Sequence, residues 1–216
     1  MPSVDQGRGG GFEILRRFAK ARPVVERCDL CGLEVGPNHD HLIDPAERRL
    51  ACACGACAVL FSAQEGTKYK RVPREVFALD ELTISDAQWD ALRLPIDLAF
   101  FYQSSSQGRV VACYPSPAGA TESLLELATW EDIQREHPVL GTLQADVQAL
   151  LVNRVRRGSA GTACFLVPID QCFRLVGIIR MQWKGFTGGS AVWEEIDRFF
   201  AELGRVARPP RAGLRA

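Results

Sequence analysis

The chain has 216 residues, of which 26 are basic and 26 acidic, so its formal net charge is zero. This balance argues against the strongly basic surface by which many proteins bind nucleic acid. The longest apolar runs, such as Leu98–Tyr102 and Val176–Ile179, are too short to cross a bilayer, and no signal-peptide core follows the Gly-rich residues 1–11. We therefore expect a soluble, cytoplasmic protein with no membrane span.

The first patterned segment, residues 12–21 (FEILRRFAKA), is typical of a short amphipathic helix. Its apolar side chains recur every three or four residues, and basic side chains occupy the opposite face. Pro23 ends the pattern. We predict a flexible tail and this short helix over residues 1–25.

The cysteines are concentrated near the N-terminus, with five of the eight lying within thirty residues. Cys28 and Cys31 form one Cys-x2-Cys pair, and Cys54 and Cys57 form a second. A structural zinc ion takes four soft ligands in a tetrahedron, and each pair can deliver two thiolates to one ion. A secreted disulfide scaffold would be a shorter chain with cysteines throughout. We predict that these four cysteines bind one Zn²⁺ in a module spanning residues 26–61.

The sequence between the two pairs predicts a β-hairpin, since residues 41–51 (HLIDPAERRLA) place an Asp-Pro turn between two strand-like stretches. The following GACAVLF can begin a helix with Cys54 and Cys57 in its first turn, and Gly32 suits a tight bend after Cys31. Knuckle, hairpin and helix-borne ligands, in this order, resemble the treble-clef zinc fold over about thirty-five residues.

Iron is the alternative metal, because tetrahedral sites of four thiolates hold either zinc or iron. The segment Cys28–Gly32 (CDLCG) partly resembles a rubredoxin knuckle, but Cys57 is followed by Ala58 and not by glycine. Three neighbouring residues are alternative ligands: Cys52, His39 and His41. A simpler interpretation has both histidines in a loop and Cys52 packed on the hairpin, since a single extra cysteine is more often part of the packing. Cys52 as a redox-active thiol is a third interpretation.

The remaining sequence predicts an α+β domain with an antiparallel sheet over residues 62–204. Ser85 and Gln88 have the spacing of a capping box, ahead of a short helix that ends by Pro95. Strand-like runs separated by turn residues follow at 96–103, 109–115, 122–127, 148–155, 162–168 and 172–183.

Each set of three strand-like runs leads to a helix that opens with tryptophan and acidic residues, at Trp130 and Trp193. This pattern predicts a tandem βββα repeat over residues 96–137 and 148–203. The alternative is that two α+β halves align loosely without any duplication. Residues 205–216, rich in arginine and proline, predict a disordered tail.

The usual enzyme motifs, including phosphate-binding loops, the serine hydrolase elbow and the zinc protease helix, do not occur in the sequence. The Gly-rich residues 184–190 precede a helix and could hold an anion, although a turn is the simpler interpretation. His137 is the only histidine outside the module. Cys113, Cys164 and Cys172 are expected to be small buried thiols. We therefore assign no catalytic residue and no organic cofactor. A binding role is favoured, and the sequence does not decide whether the protein is also an enzyme.

The chain as a whole resembles a bacterial family of uncharacterised proteins that are encoded near oxygen-tolerant uptake NiFe hydrogenases. The matching segments cover nearly all of the chain after residue 12 and include CDLCG at 28–32, LACAC at 50–54, LPIDLAFF at 94–101, YPSPAGATES at 114–123, LVNR at 151–154 and residues 183–200. The resemblance implies an accessory or maturation role, with hydrogenase subunits or maturation factors as partners, and carries over no catalytic residue.

Two hypotheses about function follow from these observations. The first is a zinc-stabilised accessory or assembly protein that binds a protein partner. The second is a redox protein, either a rubredoxin-like iron carrier or a thiol protein that uses Cys52. The metal content and the visible spectrum distinguish them, since a zinc protein would be colourless and a rubredoxin-like iron protein would be red.

Overall fold

The structure is a computed structural model that describes residues 25–62, 66–124, 127–155, 162–185 and 188–210. The helix predicted over residues 12–21 lies outside the described residues. Among the residues that are described, none of the helices combines the length and apolar character needed to cross a bilayer.

A small three-stranded antiparallel sheet forms the N-terminal module. Strands β1 (Asp40–Asp44) and β2 (Arg49–Ala53) make the predicted hairpin, and the short β3 (Lys70–Arg71) pairs with the other edge of β1. Helix α1 (Gly55–Leu60) follows β2 directly, as predicted. The sheet of the module therefore includes residues beyond the predicted boundary at residue 61.

The larger domain is built on a six-stranded antiparallel sheet with the strand order β4-β9-β8-β5-β6-β7. The strands are β4 (Phe77–Ala78), β5 (Leu98–Ser104), β6 (Arg109–Ser116), β7 (Gly119–Ser123), β8 (Gln148–Asn153) and β9 (Ala163–Pro168). Both faces of the sheet are covered, because alternate residues of β5 enter two different apolar cores. Phe100 and Tyr102 belong to one core, and Ala99 and Phe101 to the other.

Five helical segments belong to this domain among the residues that the structure describes. They are α2 (Asp86–Ala91), α3 (Leu127–Glu136), a 3-10 turn (Pro138–Thr142), α4 (Ile169–Gln182) and α5 (Gly189–Val206). Helices α4 and α5 cover one face of the sheet, and α2, α3 and the 3-10 turn cover the other. The predicted capping box is confirmed, since the Ser85 side chain accepts a hydrogen bond from the Gln88 backbone while the Gln88 side chain accepts one from Ser85 N–H. The fold is thus the predicted α+β class with antiparallel sheets.

The prediction of a strand over residues 172–183 is wrong, because this segment lies in helix α4. Its buried residues recur at helical spacing: Cys172, Leu175, Val176 and Ile179. The second half of the chain therefore runs ββαα, and the predicted tandem βββα repeat does not form. The strand predicted over residues 122–127 is also too long, since β7 ends at Ser123 and α3 begins at Leu127.

The disordered tail predicted over residues 205–216 is wrong for its first part. Helix α5 continues to Val206, and the Arg208 backbone then bonds to the backbones of Val76 and Ala78. Residues 211–216 lie outside the described part of the chain.

Polar contacts join the module to the larger domain. The Nζ atom of Lys70 on β3 lies 2.5 Å from Oδ2 of Asp146, which precedes β8. Arg48 of the hairpin turn lies 2.9 Å from Glu122 on β7. The module therefore rests on the larger sheet through charged groups as well as through apolar packing.

Replacing Asp146 with asparagine is expected to destabilise the protein by about 1–3 kcal/mol at neutral pH, since the carboxylate accepts charged and neutral hydrogen bonds. Burial alone would raise the pKa of Asp146, but hydrogen bonds from Lys70 and Ser105 hold that pKa below its usual value. The stabilisation is therefore present above the ordinary carboxyl pKa of about 4 and is lost as the pH falls through the lower folded-state pKa.

Urea unfolding of the wild type and Asp146→Asn between pH 3 and 7 measures this contribution. The difference in unfolding free energy between the two proteins should shrink as the pH falls below about 4. A difference in unfolding free energy that stays constant with pH would contradict the assignment of the ionised carboxylate.

Candidate metal centre

The first Cys-x2-Cys pair lies in a tight knuckle that the backbone closes on itself. Cys28 N–H donates to the carbonyl of Leu33, and Gly32 N–H donates to the carbonyl of Cys28, both at 2.8 Å. Gly32 has a φ of 75°, a left-handed conformation that favours glycine. The sequence prediction of a glycine-dependent bend is confirmed, and the bend brings Cys28 and Cys31 to the same side.

The second pair is placed by the start of helix α1. Cys54 directly follows β2 and caps the helix, and its sulfur accepts a hydrogen bond from Cys57 N–H at 3.5 Å. Cys57 lies in the first turn of the helix and is buried beside Leu42 and Ala53 of the hairpin. The hairpin thereby presents the helix-borne pair to the knuckle.

The structure brings all four predicted ligands together in one group, hereafter the four-cysteine cluster. One ligand atom from each member lies within 4.8 Å of the others, namely those of Cys28, Cys31, Cys54 and Cys57. The sulfurs of Cys31 and Cys54 are 3.8 Å apart, and all four thiols are free. Four sulfurs at a Zn–S distance of about 2.3 Å would be separated by roughly 3.8 Å in a tetrahedron, whereas a disulfide is about 2.05 Å long. The cluster could bind a metal ion.

The pKa values of two thiols in the cluster are shifted in opposite directions. Burial alone would raise the pKa of Cys28, but N–H groups of Cys54, Leu30 and Cys31 that donate to its sulfur lower that pKa to about 6. Burial and the neighbouring sulfurs raise the pKa of Cys57 to about 12. A thiolate at Cys28 therefore opposes deprotonation of Cys57, and a bound divalent cation would favour the thiolate form of both.

The alternative ligands named from the sequence lie in a separate group: His39, His41 and Cys52. His41 pairs with Cys52 across the hairpin, whereas Leu42 and Ala53, on the opposite face, pack beside Cys28 and Cys57. The two faces of one hairpin thus carry two different groups of ligand-type side chains.

Cys52 does not have the environment of an activated thiol. Burial and the negative charges of Asp29 and Glu26 raise the pKa of Cys52 above its ordinary value. Reactive cysteines have a lowered pKa and a positive environment. This environment disfavours the interpretation of Cys52 as a redox-active nucleophile.

The other candidates take structural positions. Burial raises the pKa values of Cys113 and Cys164 to about 12 and that of Cys172 well above its ordinary value, as expected for inert thiols. His137 is buried at the end of α3, with Nε2 2.9 Å from the carbonyl oxygen of Thr83. In the Gly-rich segment, Gly188 precedes α5 with a φ of 81°, and residues 186–187 of the proposed anion loop lie outside the described residues.

Sequence reasoning missed two features of the module. Asp170 on α4 lies 2.7 Å from His41, although 129 residues separate them, and no local pattern could have indicated this pairing. The second feature is a set of large exposed apolar side chains near the four cysteines in sequence, at Val25, Leu33, Val59, Leu60 and Phe61. Only the four consecutive apolar residues from Ala58 to Phe61 gave a hint of that surface.

Fold and site together define an α+β protein in which a small module with a four-cysteine cluster, able to bind a metal ion, packs against an antiparallel-sheet domain. Residues 27–207 match DUF5947, a family of unknown function, and the chain belongs to this family. No curated protein and no solved structure matches the chain. Nothing in these comparisons links the chain to hydrogenases, so that association rests on the sequence resemblance alone.

Proposed function

We propose that this chain is a zinc-stabilised accessory or assembly protein of the cytoplasm, whose N-terminal module binds a protein partner. The observation that supports the proposal is a set of exposed apolar side chains in the segments that carry the four cysteines, hereafter the module patch: Leu33, Val59, Leu60 and Phe61. Leu33 is 60% exposed and Leu60 is 63% exposed. Exposed apolar side chains that cluster on one surface are typical of protein interaction sites.

The metal has a supporting role in this proposal. Among the described residues, the core of the module has five buried members, and two of them are Cys28 and Cys57. Such a small core gives little stability by itself, so a zinc ion bound by four cysteines would hold the knuckle and α1 in place. With four protein ligands, this site has no open position for a substrate.

The partner is a protein with an apolar docking surface. Val59 and Leu60 are consecutive exposed residues of α1, and the exposed Leu33 follows Cys31 by two residues in the knuckle. A rigid helix that presents adjacent aliphatic side chains is suited to packing against a groove or sheet of another protein. The resemblance to proteins encoded beside NiFe hydrogenases makes hydrogenase subunits and maturation factors the first partners to test.

The double substitution Val59→Asp/Leu60→Asp is expected to weaken partner binding by more than tenfold, because each buried aliphatic side chain contributes about 1.5–3 kcal/mol. The matched control is Met181→Asp at the end of α4, where Met181 is 77% exposed and lies in the larger domain. Proteins captured from native cells by the wild type are identified, and the interaction is remeasured with both purified components.

A partner that is lost with Val59→Asp/Leu60→Asp and kept with Met181→Asp is the expected result. If the two variants captured the partner equally, the module patch would not be its binding site. A red protein bleached by dithionite would instead favour the rubredoxin-like electron carrier.

A further inference from the structure

We propose that His39, His41 and Cys52 form a second metal site, a zinc site with two nitrogen ligands, one sulfur ligand and an open fourth position. A ring nitrogen of each histidine and the sulfur of Cys52 lie within 4.8 Å of one another. The proposal goes beyond the docking function, since it concerns the hairpin face opposite the four-cysteine cluster.

The hairpin itself places the three side chains together. His41 on β1 is directly opposite Cys52 on β2, and directly paired residues of an antiparallel sheet project to the same face. His39 immediately precedes β1, and its ring meets that of His41 edge to face with centroids 4.7 Å apart. The placement of His41 and Cys52 therefore follows from strand register, and His39 joins them from the segment that leads into β1.

Both histidine rings are held through Nδ1, which leaves Nε2 for a metal. Nδ1 of His39 lies 2.8 Å from the carbonyl oxygen of Gly36, and Nδ1 of His41 lies 2.7 Å from Oδ2 of Asp170. Because these oxygens accept, Nδ1 carries the proton in each neutral ring and Nε2 carries a lone pair. Carbonyl and carboxylate partners of this kind are the usual supports of metal-binding histidines.

The side chain of His39 also has an unsatisfied buried atom. This side chain is 6% exposed, and its Nε2 atom is buried without a hydrogen-bond partner among the described residues. A buried lone pair without a partner costs about 1–3 kcal/mol. A metal ion bound between His39, His41 and Cys52 would satisfy it.

The donor set and its surroundings indicate the kind of metal. Two imidazoles and one thiolate suit zinc, and three protein ligands are typical of zinc sites that keep one position for water or another ligand. Both histidines line a cavity of about 310 Å³, together with Arg74 and Asp170. A water molecule or small oxygen donor could therefore reach the fourth position from this cavity.

Counting bound zinc distinguishes this site from the four-cysteine cluster. Apo protein is loaded with excess zinc, passed through a desalting column and analysed for zinc per chain. The wild type is expected to hold two ions, and Cys52→Ser and His39→Gln are expected to hold one. The affinity for the second ion should fall by about 100-fold or more when a ligand is lost, and by about 10- to 100-fold in Asp170→Asn.

The chain offers a matched control for each substitution. Cys113→Ser and His137→Gln change a buried thiol and a buried histidine outside both groups and should keep two ions. The single ion that remains in Cys52→Ser and His39→Gln reports that the module is still folded. Titration with Co²⁺ adds a second readout, since a four-sulfur site and a site with two nitrogens and one sulfur give different visible spectra.

A wild-type protein that holds only one zinc ion in excess zinc would overturn the proposal, as would two ions in both Cys52→Ser and His39→Gln. Neither result affects the docking function, which is tested by variants of Val59 and Leu60. Loss of both ions in Cys52→Ser would also contradict it, because the two groups would then not be independent sites.

Discussion

The Cys54→Ser variant is expected to lose the ion of the four-cysteine cluster and to leave the N-terminal module unfolded, while the six-stranded sheet stays folded. Binding of structural zinc contributes on the order of 10 kcal/mol to the folding of small zinc modules. The module has a minimal apolar core, whereas the larger domain has two extensive cores, one of which also includes Ile43 of the hairpin. Hydrogen exchange should therefore increase over the knuckle and hairpin and remain slow in β5 and β8.

Cys52→Ser is the matched control for this result. Cys52 lies two residues from Cys54 but on the other face of the hairpin, so this variant should keep the ion of the four-cysteine cluster and slow exchange in the module. Treatment of the wild type with a strong chelator should reproduce the effect of Cys54→Ser. If Cys52→Ser and Cys54→Ser both lost the ion of this cluster, the assignment of the four ligands would be wrong.

Trp130→Ala is expected to destabilise the larger domain by about 3–5 kcal/mol, which is a large part of the stability of a typical domain. Trp130 on α3 is 2% exposed, and its ring stacks on Phe101 of β5 at a centroid distance of 4.8 Å. The substitution would leave a cavity between the sheet and the helix that covers it. Guanidinium unfolding monitored by far-UV circular dichroism measures the loss.

Two control variants show whether the loss of stability in Trp130→Ala comes from the missing aromatic ring. Trp130→Phe should cost much less, because it keeps an aromatic ring on Phe101 and removes an indole N–H that has no hydrogen-bond partner among the described residues. Leu124→Ala, at a side chain that is 92% exposed, should change the unfolding free energy by less than about 0.5 kcal/mol. Equal losses in Trp130→Phe and Trp130→Ala would show that stacking and volume are not what Trp130 contributes.

The parts of the fold that the sequence predicted are those with short-range signals. The Ser85–Gln88 capping box, the Asp-Pro hairpin turn and the glycine after Cys31 each act within a few residues. The four metal-ligand candidates were equally predictable, because each Cys-x2-Cys pair is a local motif and the hairpin between them determines how they meet.

Other parts depend on contacts that a single sequence does not reveal. Val176–Ile179 is a short apolar run that fits a buried strand. The spacing of apolar residues from Cys172 through Ile179 also fits a helix, and packing against the sheet favours the helix, α4. The grouping of His39, His41 and Cys52 depends on strand register, and the partner of His41 comes from a helix far along the chain. The domain boundaries drawn from the sequence remain predictions.

In the proposed function, Cys28, Cys31, Cys54 and Cys57 bind one structural zinc ion. X-ray absorption at the zinc edge of the Cys52→Ser variant, in which only the ion of the four-cysteine cluster should remain, tests it most directly. One zinc ion per chain with a single shell of four sulfurs at about 2.3 Å is the expected result. Iron in place of zinc, or a shell that contains nitrogen or oxygen ligands, would contradict it.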